Sequence, residues 1–335
     1  MRGLRRERAT LVDVARASNV SRQTVSNALN NPQRVAPETL ERVQAQIDRL
    51  GFHPNQAARS LRQQQANAIG FQVERTHARG FGNLLDPFLA ALTEAAQGVD
   101  AHVITFVADE GADLATYERL LSTQVVDGFV LAHTRHADPR ASWLRERGVP
   151  FVSFGRVWDD PTVTSWVDVD GRGGTRAAVE HVLAGGYRRV AWLGWPAGSL
   201  VGDDRRAGWN DATAGLGHDH ANLSGVTPQN ALEAAKAAEV ILDRLSPGDA
   251  IVCVSDVVAL GVTLALGRRH LLPGTDIGVV GFDDGDLAEA FDISTMRQPL
   301  GDLSRRLIHL LKRPTDSRHG DLVTPTLIHR ASTTR

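Results

Sequence analysis

Seven short apolar runs separated by helical stretches limit this chain to a small set of folds. The runs fall at 69–73, 102–107, 128–131, 151–154, 190–193, 250–254 and 277–280. Helical patterning follows them at about 84–97, 113–123, 138–147, 172–185, 203–215, 229–244 and 256–269, with a last helix at about 299–311. Strands apolar on both faces that alternate with helices build parallel sheets covered on both sides. Seven such units exceed one doubly wound sheet, and they predict two Rossmann-like halves. In such sheets a ligand sits at the carboxyl ends of the strands, in the crevice between the halves.

The first 66 residues follow a different pattern. They carry eleven Arg against five acidic residues, a net charge of +6 in a chain whose total is −2, which leaves −8 for the remainder. A basic head on an acidic body suits contact with nucleic acid at one end, or else a solvated arm. The pattern inside the segment favours the first. Thr10 can cap a helix with Asp13 at the capping-box position, and Leu11, Val14 and Ala15 follow at helical spacing. Asn19 tolerates the left-handed backbone that a tight turn needs. Ser21 caps a second helix that buries Val25, Ala28 and Leu29 and turns Arg22, Gln23, Ser26 and Asn27 outward. A third helix opens at Pro37, buries Leu40, Val43, Ile47 and Leu50, and stops at Gly51. In a helix-turn-helix, the second helix offers its N-terminal residues to the major groove. Arg, Gln and Asn are suited to bidentate contacts with guanine or adenine edges.

A short segment then runs from Asn55, a possible cap, through Ala58 to Leu61, with Arg59 and Arg62 beside it. It is too short to be a stable helix alone in water. An apolar residue flanked by Arg suits minor-groove insertion; an ordinary linker is the plainer reading.

At this point the residues carry a resemblance. Thr10-Leu-Val-Asp-Val-Ala-Arg-Ala-Ser-Asn-Val-Ser-Arg-Gln-Thr-Val-Ser-Asn-Ala-Leu-Asn30, Leu50-Gly-Phe-His-Pro-Asn55 and Ala58-Arg-Ser-Leu61 resemble the lactose-repressor (LacI/GalR) family of regulators. So do Val126-Asp-Gly128, Glu180-His181, Ser255-Asp256 with Ala259-Leu-Gly261, and Val280-Gly-Phe-Asp-Asp284. The resemblance implies an α/β chain with three parts. These are a three-helix helix-turn-helix domain over 1–53, a hinge helix and linker over 54–66, and a two-lobed effector domain like the periplasmic binding proteins over 67–335. The lobes are expected at about 67–160 plus 297–330 and at about 161–296, with crossings near 153–166 and 282–299. It implies a homodimer on pseudo-palindromic, double-stranded operator DNA. Arg22, Gln23 and Asn27 would read bases, Ser21, Thr24 and Arg34 would hold the backbone, and Leu61 would be the hinge wedge. Arg205, Ser255, Asp283 and Gln298 fall on effector positions, with Phe154 and Asp86 near others. Gly155 and Ser255 stand where the family often has Asp and Asn, and Asn19 stands where it usually has Gly.

The strand ends independently nominate the same cleft. They lead to Asp86-Pro87-Phe88, Phe154-Gly155-Arg156, Arg205, Ser255-Asp256 and Asp283, with Gln298 beyond. Carboxylates, Arg, Gln and aromatic rings are what a sugar needs: planar charged groups for vicinal hydroxyls and a flat ring under the apolar face. The expected function is a carbohydrate-gene repressor released by a small sugar. A purine- or nucleoside-type corepressor and a solute-binding protein without DNA function stand as alternatives.

Other signals are set aside. Asp256 is expected to cap the next helix and Asp284 to be structural. Asp159-Asp160 and Asp203-Asp204 read as solvated charge, Gly171 to Gly174 as a close helix–sheet approach, and Trp158 and Trp166 as stacking candidates. His218 and His220 lack a third partner for a metal, and no Ser or Cys sits in a nucleophile elbow, so neither metal, cofactor nor enzymatic activity is expected. The N-terminus has no apolar h-region, no apolar run reaches 18 residues, and Cys253 is the only cysteine. A cytoplasmic, nucleoid-associated protein with no membrane contact is the expectation.

Overall fold

Thr10 and Asp13 start the first helix of the head with a reciprocal cap. The backbone N–H of Thr10 donates to Asp13 Oδ2 at 2.9 Å, and that of Asp13 donates to Thr10 Oγ1 at 3.3 Å. The computed structural model describes residues 9–52, 65–73, 84–108, 114–134, 138–158, 160, 163–217, 219, 222–313 and 319–335. The chain divides into two units, Met1–Ala66 and Asn67–Arg335. Asn55, Ala58 and Leu61, and with them the expected hinge helix, lie outside the described residues, as do Asp159, His218 and His220.

In the head, α1 (Leu11–Ala17), α2 (Arg22–Asn30) and α3 (Pro37–Leu50) enclose a small core of Val14, Ala15, Val25, Ala28, Val43, Ile47 and Phe52. Asn19 makes the turn between α1 and α2 at φ 51°, and Ser21 caps α2 by accepting from the Thr24 N–H. Arg42 reaches back from α3 to donate to the Ser18 carbonyl at 3.1 Å, which fixes the turn against the third helix.

Among its described residues, the second unit holds two six-stranded sheets. In chain order its elements are β1 (Ala68–Val73), α4 (Leu85–Gln97), β2 (His102–Val107), α5 (Leu114–Ser122), β3 (Gly128–Leu131), α6 (Pro139–Glu146), β4 (Phe151–Phe154) and β5 (Trp166–Val169). Then come α7 (Gly171–Ala184), β6 (Val190–Gly194), α8 (Leu200–Thr213), β7 (Ser224–Val226), α9 (Ala231–Leu242), β8 (Asp249–Cys253), α10 (Asp256–Arg268) and β9 (Ile277–Asp283). The chain ends with α11 (Asp286–Ala290), β10 (Ser294–Arg297), α12 (Leu300–Leu311), β11 (Asp321–Val323) and β12 (Thr326–Ile328). The first sheet has the order β11-β5-β4-β3-β1-β2 and is parallel throughout. The second has the order β12-β10-β9-β8-β6-β7, with β12 alone antiparallel.

The lobe boundaries differ from the sequence expectation. β5 pairs with β4, so the first crossing comes after Val169 rather than near 153–166, and the second lobe does not begin at 161. The second crossing joins β10 to α12, which packs on α4, β4 and β5 of the first lobe. A third crossing was not anticipated. Between β11 and β12 the chain returns to the second lobe, so 326–330 does not belong to the first. The reading of Gly171 to Gly174 is met at Gly174. A Cβ there would stand 2.5 Å from Pro325 Cγ and 3.1 Å from the Phe282 ring of β9, so α7 lies too close to the sheet for a side chain.

Candidate functional site

Two surfaces carry the candidate residues. On the head, Ser21, Arg22 and Gln23 are exposed at the start of α2, while Thr24, Ser26 and Asn27 are half-buried. Gln23 Nε2 donates to Asn27 Oδ1 at 3.1 Å, and the Ser21 and Thr24 hydroxyls lie 2.9 Å apart. Arg34 is exposed in the short 3₁₀ turn Pro32–Arg34, and Thr10 is exposed at the start of α1. This helix end presents donors, acceptors and one guanidinium on a rigid frame, the arrangement that docks in a major groove.

The body's candidate site lies where β4, β6, β8 and β9 end. Arg205, on α8, is the centre of one group. It is 4% exposed, its Nη1 donates to the Val254 carbonyl at 2.6 Å, and its guanidinium carbon lies 3.7 Å above the Phe282 ring. Asp283 Oδ1 lies 3.5 Å from Arg205 Nη2 and accepts from Gln298 Nε2 at 2.7 Å. Burial pushes the Asp283 carboxyl above its usual range, and Arg205 and Gln298 pull it back. Asp283 adopts φ 121°, a region L-residues rarely occupy, and such strain persists where the surroundings dictate it. Arg205 Nε is buried with no partner among the described residues. A buried, unpaired N–H beside a carboxylate suits a ligand oxygen.

A second group centres on Ser255. Its hydroxyl donates to Gln229 Oε1 at 2.8 Å, and the same oxygen accepts from Trp195 Nε1 at 2.8 Å. Ser255, not Asp256, is the cap of α10, accepting from the Val258 N–H, which corrects the capping role expected of Asp256. Asp256 is instead buried, and accepts from the Thr295 hydroxyl at 2.5 Å and the Gly285 N–H at 2.9 Å. Burial first, and then the Asp283 charge, push its pKa up to about 8. Asp284 pairs with Arg297 and Arg330, so its structural reading fits.

A third group holds Arg156. Its Nε donates to Asp168 Oδ2 and its Nη2 to Asp204 Oδ2, both at 2.8 Å. Asp204 is therefore a partner within the site and not the solvated acid expected. The Arg156 guanidinium covers the Trp158 ring at 3.8 Å, which takes that ring face out of use for stacking. Trp166 starts β5, at the end away from the strand's carboxyl terminus. Trp195, partly exposed and 5.9 Å from the Arg205 guanidinium carbon, is the better placed ring. Gly155, where an Asp is common in the resembled family, stands at φ 95°, a backbone that suits glycine.

Phe154 is half-buried, and behind it lies Phe88 with ring centroids 4.5 Å apart. Phe88 itself has no exposed surface, so the expectation that it touches a ligand is corrected: it packs between Phe154 and Phe71. Asp86 is exposed in the first turn of α4, in a groove lined also by Leu89, Thr93 and Gln97. The sequence reading missed Trp195, Asp168, Asp204 and Gln229. Only Asp204, directly before Arg205, and Trp195, just past β6, were signalled by position.

Residues 10–55 match the family profile described as bacterial regulatory proteins, lacI family, and residues 84–298 match that of periplasmic binding proteins and the sugar binding domain of the LacI family. The chain is similar to the HTH-type transcriptional regulator CelR of Thermobifida fusca, at 33% identity over 321 residues and 92% of each chain. A LacI-family regulatory protein from Chloroflexus aggregans is 34% identical, with a TM-score of 0.73 over 80% of this chain and 98% of the other. A complex of the regulator CelR with cellobiose is 26% identical, with a TM-score of 0.71 over 97% of this chain and all of the other.

Proposed function

The chain belongs to the LacI family of bacterial regulatory proteins, and on that premise we propose that it is a repressor of carbohydrate-utilisation genes, released from its operator by a small sugar. One observation supports the sugar most: buried Arg205, with Nε unpaired, beside strained Asp283 held by Gln298. A guanidinium and a carboxylate side by side offer donors and acceptors to vicinal hydroxyls, and Trp195 offers a flat face. The cellobiose bound by a relative of the same family adds to this reading. Arg22, Gln23 and Asn27 read base edges, and Thr10, Ser21, Thr24, Ser26 and Arg34 hold the DNA backbone or support the helix that does. A homodimer reads two half-sites, in the cytoplasm where the DNA is. The protein acts by binding alone: sugar shifts the population of lobe arrangements, and the arrangement it favours holds the operator less tightly.

A gel-shift titration of the full chain on DNA from upstream of its own gene tests this. The expected result is a complex that weakens steeply with salt and that cellobiose, raffinose or another neutral saccharide dissolves. Absence of a complex at low salt, or release by purines and nucleosides but not by sugars, overturns it.

A further inference from the structure

Arg156 is placed to join the two lobes. It follows β4 in the first lobe and is anchored there three times. Its carbonyl accepts from Thr134 Oγ1 at 2.9 Å, its Nε donates to Asp168 of β5, and its guanidinium lies on Trp158. Its Nη2 then reaches Asp204 on α8, an element of the second lobe. Asp204 also accepts from the Arg172 N–H of α7 at 3.0 Å, so the carboxylate is fixed to two helices of its own lobe. The side chains of Arg156, Asp168 and Asp204 are 22%, 8% and 11% exposed, sheltered enough for the charges to act strongly. Asp204 immediately precedes Arg205, so whatever holds α8 through Asp204 also positions the residue at the centre of the sugar site.

We propose that Arg156, Asp168 and Asp204 form an interlobe latch, and that Arg156 sets the spacing of the lobes instead of reading the effector. Arg156 commits Nε to one lobe's carboxylate and Nη2 to the other's, as a tie requires. When the lobes shift, the Asp204 bond is the one that breaks, because the Thr134, Trp158 and Asp168 contacts stay within the first lobe. Lobe motion and the placement of Arg205 are thereby one event. The latch rests on the two-lobed geometry alone, so it can fail while the repressor reading stands.

Pulsed electron spin resonance on the full chain tests it without sugar or DNA. Val125 of the first lobe and Leu232 of the second are 39% and 61% exposed and accept nitroxide labels as V125C and L232C. Cys253 is buried and its thiol is pushed above its usual range, so it does not compete for label. Single-label samples identify distances between protomers. In R156M and in D204N the mean interlobe spacing is expected to shift by about 2 Å or more, and R156M/D204N should shift no further than the larger single effect. R172M, which removes the Arg172–Asp211 pair between α7 and α8 of one lobe, should match the parent. A parent-like distribution in both R156M and D204N, or an equal shift in R172M, overturns the latch.

Discussion

Gln23 Nε2 donates to Asn27 Oδ1 across one turn of α2, at 3.1 Å. The two amides are aligned before any DNA arrives, so one fixes the orientation of the other. Bidentate contacts from such side chains contribute about 1–3 kcal/mol of base discrimination. Gln23→Ala and Asn27→Ala are each expected to weaken operator binding by about tenfold, and the double variant by less than the product. Additive losses in a gel-shift cycle would show that the pairing does not matter.

The turn before α2 is expected to be sensitive to backbone chemistry. Asn19 stands at φ 51°, a region that costs an ordinary L-residue about 1–2 kcal/mol. Asn19→Val should therefore destabilise the head by about that amount, whereas Asn19→Gly should leave it as stable or better. Removing the α2 cap with Ser21→Ala should cost about 1 kcal/mol. Hydrogen exchange of head amides in the full chain reads all three, and equal protection in the Val and Gly variants would contradict the argument.

In the cleft, Asp283→Asn keeps an acceptor for Gln298 but removes the charge facing Arg205. Truncating one partner of a buried charge pair at a binding site costs about 2–5 kcal/mol. Affinity for the releasing sugar should fall by about a hundredfold or more, while Asp168 and Asp204 still compensate Arg205 and preserve the fold. Calorimetry with cellobiose, or with whichever saccharide dissolves the operator complex, measures the first effect, and thermal unfolding the second. Unchanged affinity would remove Asp283 from the site.

Asp256 gives the pH dependence a definite sign. In the folded chain its pKa is pushed up to about 8, against an ordinary value of 3.8 for a free aspartate. Between those values the folded state keeps a proton that the unfolded chain releases. The stability this contributes is complete below about pH 4 and is lost as pH rises towards 8. Asp256→Asn mimics the protonated acid and still accepts from the Gly285 N–H. The melting temperature of the variant minus that of the parent should thus rise from pH 4 to pH 8 and level off above. A flat difference across that range would mean that Asp256 is ionised throughout.

The central strands were legible because burial on both faces leaves them almost wholly apolar: β6 is Val-Ala-Trp-Leu-Gly and β8 is Asp-Ala-Ile-Val-Cys, every residue of both is buried, and the one charge, Asp249, is paired with Arg189. Edge and short strands carry no such mark. β7, β11 and β12 are three residues each and partly exposed, and β5 breaks its apolar run at Asp168. Missing β5 displaced the first lobe crossing, and missing β11 and β12 hid the third. In the candidate site, the closeness of Arg205 and Asp283 was legible because both follow strand ends that meet at the cleft. Asp204 was misread because adjacent acids usually face water, and only the fold brings Arg156 to it from 48 residues away. The caps were the most legible features of all, since Thr10 with Asp13, and Ser21, act on neighbours within three residues.

The two edge strands at 321–323 and 326–328 bear on the order in which the parts can fold during synthesis. Residues 321–323 complete one sheet and 326–328 the other, so neither lobe is whole until the chain has been made through those residues. The head needs only the first 52 residues for its core and is free to fold while the rest is being made. During synthesis, a finished reader of DNA would thus hang on an unfinished sensor, and a transcript cut short before residue 321 would yield the former without the latter.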